Sequence, residues 1–200
     1  MGININFDLE SKLSDFPCEI KNSALRAEKI NISDYPEAMK IASVWQRVAE
    51  EKEMQAISET EREQFSDCAY ISESFVYDFK DLDDPSTIYA CKDLDGNYQG
   101  FMGICVQENK VYVELLVTNP INIRSQINEQ ETKKVRGART CLLNMAEEIA
   151  IQEGKESVYL TPLDSAVGFY QKNGFTTGPS TNPWCYSMSK IVQKIHDYVA

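Results

Sequence analysis

Ala166-Val167-Gly168-Phe169-Tyr170-Gln171-Lys172-Asn173-Gly174-Phe175 is the stretch on which the fold turns. It reads as a short helix from Ser165 to Lys172 closed by Asn173-Gly174, since glycine and asparagine accept the left-handed backbone that ends helices. Ser157-Val158-Tyr159-Leu160, just ahead, reads as a short strand. A tyrosine thus stands four residues before a Gly-Phe pair. Taken alone, the helix makes Tyr170 an amphipathic residue with its ring in the core and its hydroxyl at the surface.

Working backwards, Thr140 to Gln152 is an amphipathic helix with Cys141, Leu142, Met145, Ile149 and Ala150 on its apolar side, and Gly154 stands where it should end. Lys134-Val135-Arg136-Gly137-Ala138-Arg139-Thr140 opens it. A basic, glycine-containing turn running into a helix suits a phosphate: helix N-termini present free N–H groups and a positive dipole end, and a glycine lets the backbone come close. Lys133, Lys134, Arg136 and Arg139 concentrate positive charge there. Alone, the pattern is equally that of an ordinary turn. Residues 121 to 134 are polar and aperiodic, a long loop.

Val113-Glu114-Leu115-Leu116-Val117-Thr118-Asn119-Pro120 ends a strand that begins near Val111. Strict alternation puts Val113, Leu115 and Val117 on one face and Tyr112, Glu114 and Leu116 on the other. A carboxylate inside an apolar strand is costly unless paired, exposed or functional. Thr87 to Cys91 and Tyr98 to Val106 flank the turn Asp93-Leu94-Asp95-Gly96-Asn97 and form a hairpin. That turn has the start of a calcium loop but lacks its terminal glutamate. Further upstream lie an acidic loop at 81–85, a helix from Glu59 to Tyr77, and a helix capped by Ser33 or Asp34 with Pro36 in its first turn. Met39, Ile41, Ala42, Val44, Trp45, Val48 and Ala49 supply that helix's apolar positions. Ser23 to Ile30 is a candidate first strand, and Trp184 to Met188 a last one. Strand, helices, hairpin, strand, helix, strand, helix, strand implies one mixed sheet with helices packed on it.

The chain has 200 residues, 42% hydrophobic and 26% charged, within the range of an ordinary folded domain. Residues 1–22 read as an extension, 23–190 as a single domain, and 191–200 as an amphipathic tail helix. The net charge of −11 argues against nucleic acid as a partner. It suits a cationic acceptor, and equally it suits plain solubility. Six scattered cysteines, Cys18, Cys68, Cys91, Cys105, Cys141 and Cys185, read as buried free thiols of a reducing compartment. With no secretory pattern and no long apolar run, the expectation is a cytoplasmic protein without a membrane partner. His196 is the single histidine, so zinc chemistry and a histidine-activated nucleophile are not expected.

The three segments around Glu114, Gly137 and Tyr170, in this order, resemble the GNAT superfamily of acyl-CoA N-acetyltransferases over residues 87–188. AVGFYQKNGF is similar to that family's late motif, VELLVTNP to its central strand ending in proline, and KVRGARTCLL to its pyrophosphate loop and helix. The resemblance implies an α/β (α+β) fold: a mixed, mostly antiparallel twisted sheet of six to seven strands, helices on both faces, and a splayed central strand pair. It implies acetyl-CoA as co-substrate, with no metal. The pantetheine arm would lie against the backbone at Leu116, Val117 and Thr118. The pyrophosphate would lie on the turn Lys134, Arg136, Gly137, Ala138, Arg139 and Thr140. Tyr170 would be the general acid for the departing thiolate and Glu114 the general base, acting through water. The reaction would be direct attack of a primary amine, of a small molecule or a protein, through a tetrahedral intermediate. A solvent-facing glutamate paired with a lysine is the other reading of Glu114.

Three features depart from the family's pattern. Arg139 stands where a small residue is usual, and it would either crowd the phosphates or swing aside and pair with one. The loop before Lys134 is long, and Leu163 and Asp164 stand where many members carry an asparagine. A weak or inactive CoA-binding or protein-interaction module on the same fold is therefore the alternative.

Overall fold

The computed structural model describes residues 19–20, 23–78, 87–130, 134–178 and 187–192. Cys18, the 81–85 loop, Lys133, Trp184, Cys185, His196 and most of the expected tail helix lie outside the described residues.

A small antiparallel pair, β1 (Glu19–Ile20) and β2 (Ser23–Ala24), precedes the main sheet. The sheet itself has seven strands: β3 (Arg26–Lys29), β4 (Thr87–Lys92), β5 (Tyr98–Val106), β6 (Lys110–Thr118), β7 (Ser157–Leu160), β8 (Thr176–Gly178) and β9 (Ser187–Ile191). Their order is β3-β4-β5-β6-β7-β9-β8, and among the described strands only β6 and β7 run parallel. β9 continues to Ile191, where the tail helix was expected to start. β8 was not anticipated, because three residues after a helix carry no periodicity.

Helices cover both faces. α1 (Tyr35–Gln55) and α2 (Glu59–Asp78) lie on one side, while α3 (Ala138–Gln152) and the short α4 (Val167–Lys172) lie on the other. The buried stripe of α1 is Ala38, Ala42, Trp45 and Ala49, at helical spacing. The sequence pattern had given weight to Val44, which is exposed. Alanines carry little weight in a hydrophobicity pattern, yet their small side chains are what let two helices approach. Asp34 does occupy the N-cap of α1, but its side chain makes no capping bond. Its carboxylate instead accepts from Ser33 Oγ at 3.1 Å.

Each face has its own core. Under α1 and α2, Phe101 of β5 is fully buried, with ring centroids 4.9 Å from Trp45, 5.0 Å from Phe75 and 5.1 Å from Tyr98. Under α3, Leu142 and Leu143 pack on Met102, Ile104, Val111 and Val158. Gly100 on β5 makes that approach possible: a Cβ there would meet Leu142 Cδ1 at 2.9 Å and the Val117 carbonyl at 3.1 Å. Gly154 closes α3 with a φ of 66°, as its position in the sequence predicts. Among the described cysteines, Cys68, Cys91 and Cys141 are buried, Cys105 is half-buried, and none is in a disulfide. Among the described residues, no helix is long and apolar enough to cross a membrane.

Candidate active site

The site forms where β6 and β7 part. Their parallel ladder pairs Lys110 with Ser157 through Val113 with Leu160 and then stops. β7 ends at Leu160, whereas β6 continues to Thr118 with a strand neighbour only on the β5 side. The parting coincides with an irregularity: Gly103 pairs with Leu115 and Ile104 with Val113, so the register against β5 steps past Glu114. This is a β-bulge, which bends a strand and re-aims its side chains.

The bulge corrects the alternation expected from the sequence. Val113 and Leu116 both face the α3 core, while Leu115 and Val117 face the α1–α2 core. One inserted residue at Glu114 switches the faces. It also removes the problem of a buried charge, because Glu114 is exposed at the bulge and lines the opening.

A cavity of about 300 Å³ occupies the gap. Leu116, Val117 and Thr118 form its strand wall. Arg136, Gly137, Ala138 and Arg139 form its end at the start of α3. Tyr170 and Phe169 line it from α4, and Asp67 and Cys68 from α2. Thus Glu114, Tyr170, Leu116, Val117, Thr118, Arg136, Gly137, Ala138 and Arg139 are brought together. Lys134 and Thr140 are half-buried but do not line the cavity.

Gly137 is the N-cap of α3, with φ 99° and no side-chain cap. Its carbonyl takes the first helical bond, from the Cys141 amide at 2.8 Å. The amides of Ala138, Arg139 and Thr140 precede that bond and have no intrahelical acceptor. This is a cradle of the kind that accepts phosphate oxygens.

Tyr170 is 6% exposed, set edge-on to Phe169 and Phe175 with centroids at 5.3 and 5.7 Å. Burial pushes its phenol above the ordinary tyrosine value, and the positive charge of Arg139 works against that rise. The Arg139 guanidinium lies 5.0 Å from the centre of the Phe169 ring, so its side chain rests against α4 in the cavity wall. The Cys68 thiol, buried beside the cavity, is pushed up to about 12 chiefly by burial. It is therefore not a nucleophile at neutral pH. It donates to the Thr118 carbonyl at 3.5 Å.

Several residues of the site were missed in the sequence. Asp67 on α2 accepts a short hydrogen bond from Ser165 Oγ, bridging to the turn that leads into α4. The loop after β6, read as aperiodic, contains 3-10 turns at Pro120–Asn122 and Ile127–Gln130. Asn128, fully buried, donates to the carbonyls of Pro120 and Ile123 at 2.9 Å each and accepts from Lys52 Nζ of α1 at 2.6 Å. Glu61 of α2 accepts from the Gln126 amide at 2.6 Å and from the Ile57 amide at 3.2 Å. The Gln126 bond, more than any other contact, holds the Glu61 carboxyl below its ordinary value. Among the described residues, no group of His, Cys, Asp or Glu is placed to hold a metal ion.

No protein-family profile matches the chain, and no curated protein matches it. Solved structures do. PaiA N-acetyltransferase from Thermoplasma acidophilum, solved with coenzyme A, aligns at TM-score 0.51 and 20% identity over 84% of this chain and 99% of that one. Tetrahymena GCN5 aligns at TM-score 0.52 and 14% identity over 86% and 99% of the two chains. The ribosomal-protein-S18-alanine N-acetyltransferase of Escherichia coli aligns at 0.50 and 13%, over 88% and 99%. The chain has the GNAT acetyltransferase fold. At these identities the likeness is one of architecture.

Proposed function

We propose that the chain is an acetyl-CoA-dependent N-acetyltransferase acting on a primary amine. One observation carries this reading: the strand gap, the uncapped start of α3 and the buried phenol of Tyr170 all open into a single cavity. The amides at Ala138 to Thr140 would hold the diphosphate of acetyl-CoA, with Arg136 beside them, and the free edge of β6 at Leu116 to Thr118 would receive the pantetheine amides. The thioester supplies an activated acetyl group. Glu114, through water, would take a proton from the amine as its nitrogen attacks the thioester carbonyl and the C–N bond forms; the tetrahedral intermediate would then collapse, breaking the C–S bond. Tyr170 would give its proton to the sulfur that leaves. Lys134 would act at longer range, since it stands back from the cavity.

A second reading is a CoA-binding or protein-interaction module with little turnover. The position of Arg139, resting on Phe169 in the cavity wall, favours it. The thermal midpoint with acetyl-CoA, against free CoA and ATP, separates the cases. A ligand at 100 times its Kd stabilises the native state by about 2.7 kcal/mol, a rise of roughly 5 to 10 °C for a chain of this size. No rise at millimolar acetyl-CoA would leave only the interaction module. A rise together with amine-dependent release of free CoA supports the enzyme.

A further inference from the structure

The hairpin turn at Asp93 is connected to the loop that enters α3 by a chain of side-chain hydrogen bonds. Asp93 Oδ2 accepts from Gln99 Nε2 at 2.8 Å. Gln99 Oε1 accepts from Asn122 Nδ2 at 2.8 Å. Asn122 Oδ1 accepts from the Val135 amide at 2.8 Å. Val135 lies two residues before Gly137, and both Asn122 and Val135 line the cavity. Gln99, in the middle, is 5% exposed.

The direction of this chain is fixed at both ends. A carboxylate can only accept, and a backbone N–H can only donate. Two amides between such ends have one consistent orientation: each turns its NH₂ toward Asp93 and its oxygen toward Val135. The carboxylate is held ionised as well. Partial burial pushes Asp93 up, but bonds from Asn97, Gln99 and the Asp95 amide outweigh this and bring its value below the ordinary one.

We propose that Asn122 is the positioning residue of the phosphate loop, and that Asp93 sets its orientation through Gln99. This deepens the acetyltransferase reading and rests on it for its ligand. Among the described residues, 134–137 belong to no strand ladder, so this part of the loop is placed by other contacts. The directional bond from the Val135 amide to Asn122 ties the start of the turn to Gly137 to the hairpin side of the sheet. The turn at Asp93, which resembled half a calcium loop, is used as an acceptor-only anchor instead.

The reasoning makes an unusual demand of Asp93→Asn. The new NH₂ would face Gln99 Nε2, so Gln99 would turn over, then Asn122, and the chain would end with an NH₂ facing the Val135 N–H. A substitution at an exposed hairpin turn would then be felt at the phosphate loop. Amide hydrogen exchange in the ligand-free protein reads this directly. Asn122→Ala and Asp93→Asn should each speed exchange at Val135 by about fivefold to tenfold, the value of one hydrogen bond. Adding Asp93→Asn to Asn122→Ala should change nothing further at Val135, because the link is already cut. Acetyl-CoA Kd should follow the same pattern, weakened several-fold by either change and no more by both. Unchanged Val135 exchange in Asn122→Ala, or effects that multiply in the double variant, would overturn the proposal. If exchange follows the pattern while the wild-type chain binds no acetyl-CoA, the relay stands and the acetyltransferase reading fails.

Discussion

Replacing Tyr170 by phenylalanine removes one hydroxyl and little else. The ring keeps its edge-on contacts with Phe169 and Phe175, so the core under α3 stays packed. The unfolding midpoint should move by no more than the value of one buried hydroxyl, about 1 kcal/mol. Turnover should fall far more. A positioned general acid contributes about 100- to 10,000-fold, or roughly 3 to 5 kcal/mol at 1.36 kcal/mol per decade. The loss is expected toward the lower end of that range, because burial makes Tyr170 a weaker acid than a free phenol, with Arg139 only partly compensating. The same burial keeps the proton in place. A raised value means that wild-type turnover shows no loss from Tyr170 deprotonation until the pH passes about 10, the ordinary tyrosine value. The assay is release of free CoA thiol with a panel of primary amines at saturating acetyl-CoA, with Kd measured by calorimetry. A variant that turns over within about twofold of wild type, at unchanged Kd, would remove Tyr170 as the acid.

Three further outcomes follow from the geometry. Glu114→Gln should lower the rate and flatten the acid limb of the pH–rate profile; a profile that keeps its acid limb would retire Glu114 as the base. Phe101→Ala should cost about 3 to 5 kcal/mol in urea unfolding, since the ring is fully buried among Trp45, Phe75 and Tyr98; a cost below about 1 kcal/mol would mean that the two helices do not close over it. Cys68 should make the protein sensitive to alkali. Burial raises its folded value to about 12 from an ordinary value of 9.0, so its contribution is complete below pH 9.0 and is lost as the pH climbs from there towards about 12. Cys68→Ala should flatten that decline in chemical unfolding at pH 9 to 11, and an unchanged slope would show that the thiol is not shielded.

Much of this architecture was legible. β4, β5, β6, β7 and α3 follow directly from their hydrophobic periods, and the run from Ala166 to Phe175 placed Tyr170 on a short helix beside the cleft. The glycine at 137 was rightly read as a turn into a helix, with its positive φ now in place. The bulge at Glu114 was not legible, because the sequence of β6 alternates smoothly and only the register against β5 reveals the extra residue. The order within the long loop was hidden for a different reason. It depends on Lys52, Glu61 and Asn128, polar residues far apart in sequence, and periodicity gives no signal for such pairs. Asp67 and Ser165 were missed likewise: neither belongs to a motif, and they meet only because α2 and the lead-in to α4 flank the same gap.

The early end of the β6–β7 ladder leaves β6, along Leu115 to Thr118, with a strand neighbour on the β5 side alone among the described residues, in the middle of the sheet. Open edges at the rim of a sheet invite other chains to add on, and from there come swapped dimers and fibrils. Here the edge is recessed. Asp67 and Ser165 meet beside it, and Cys68 already occupies the Thr118 carbonyl. Removing the Asp67–Ser165 bridge should then bare this edge of β6 to other chains and raise light scattering on incubation; unchanged scattering would show that the bridge does not shield it.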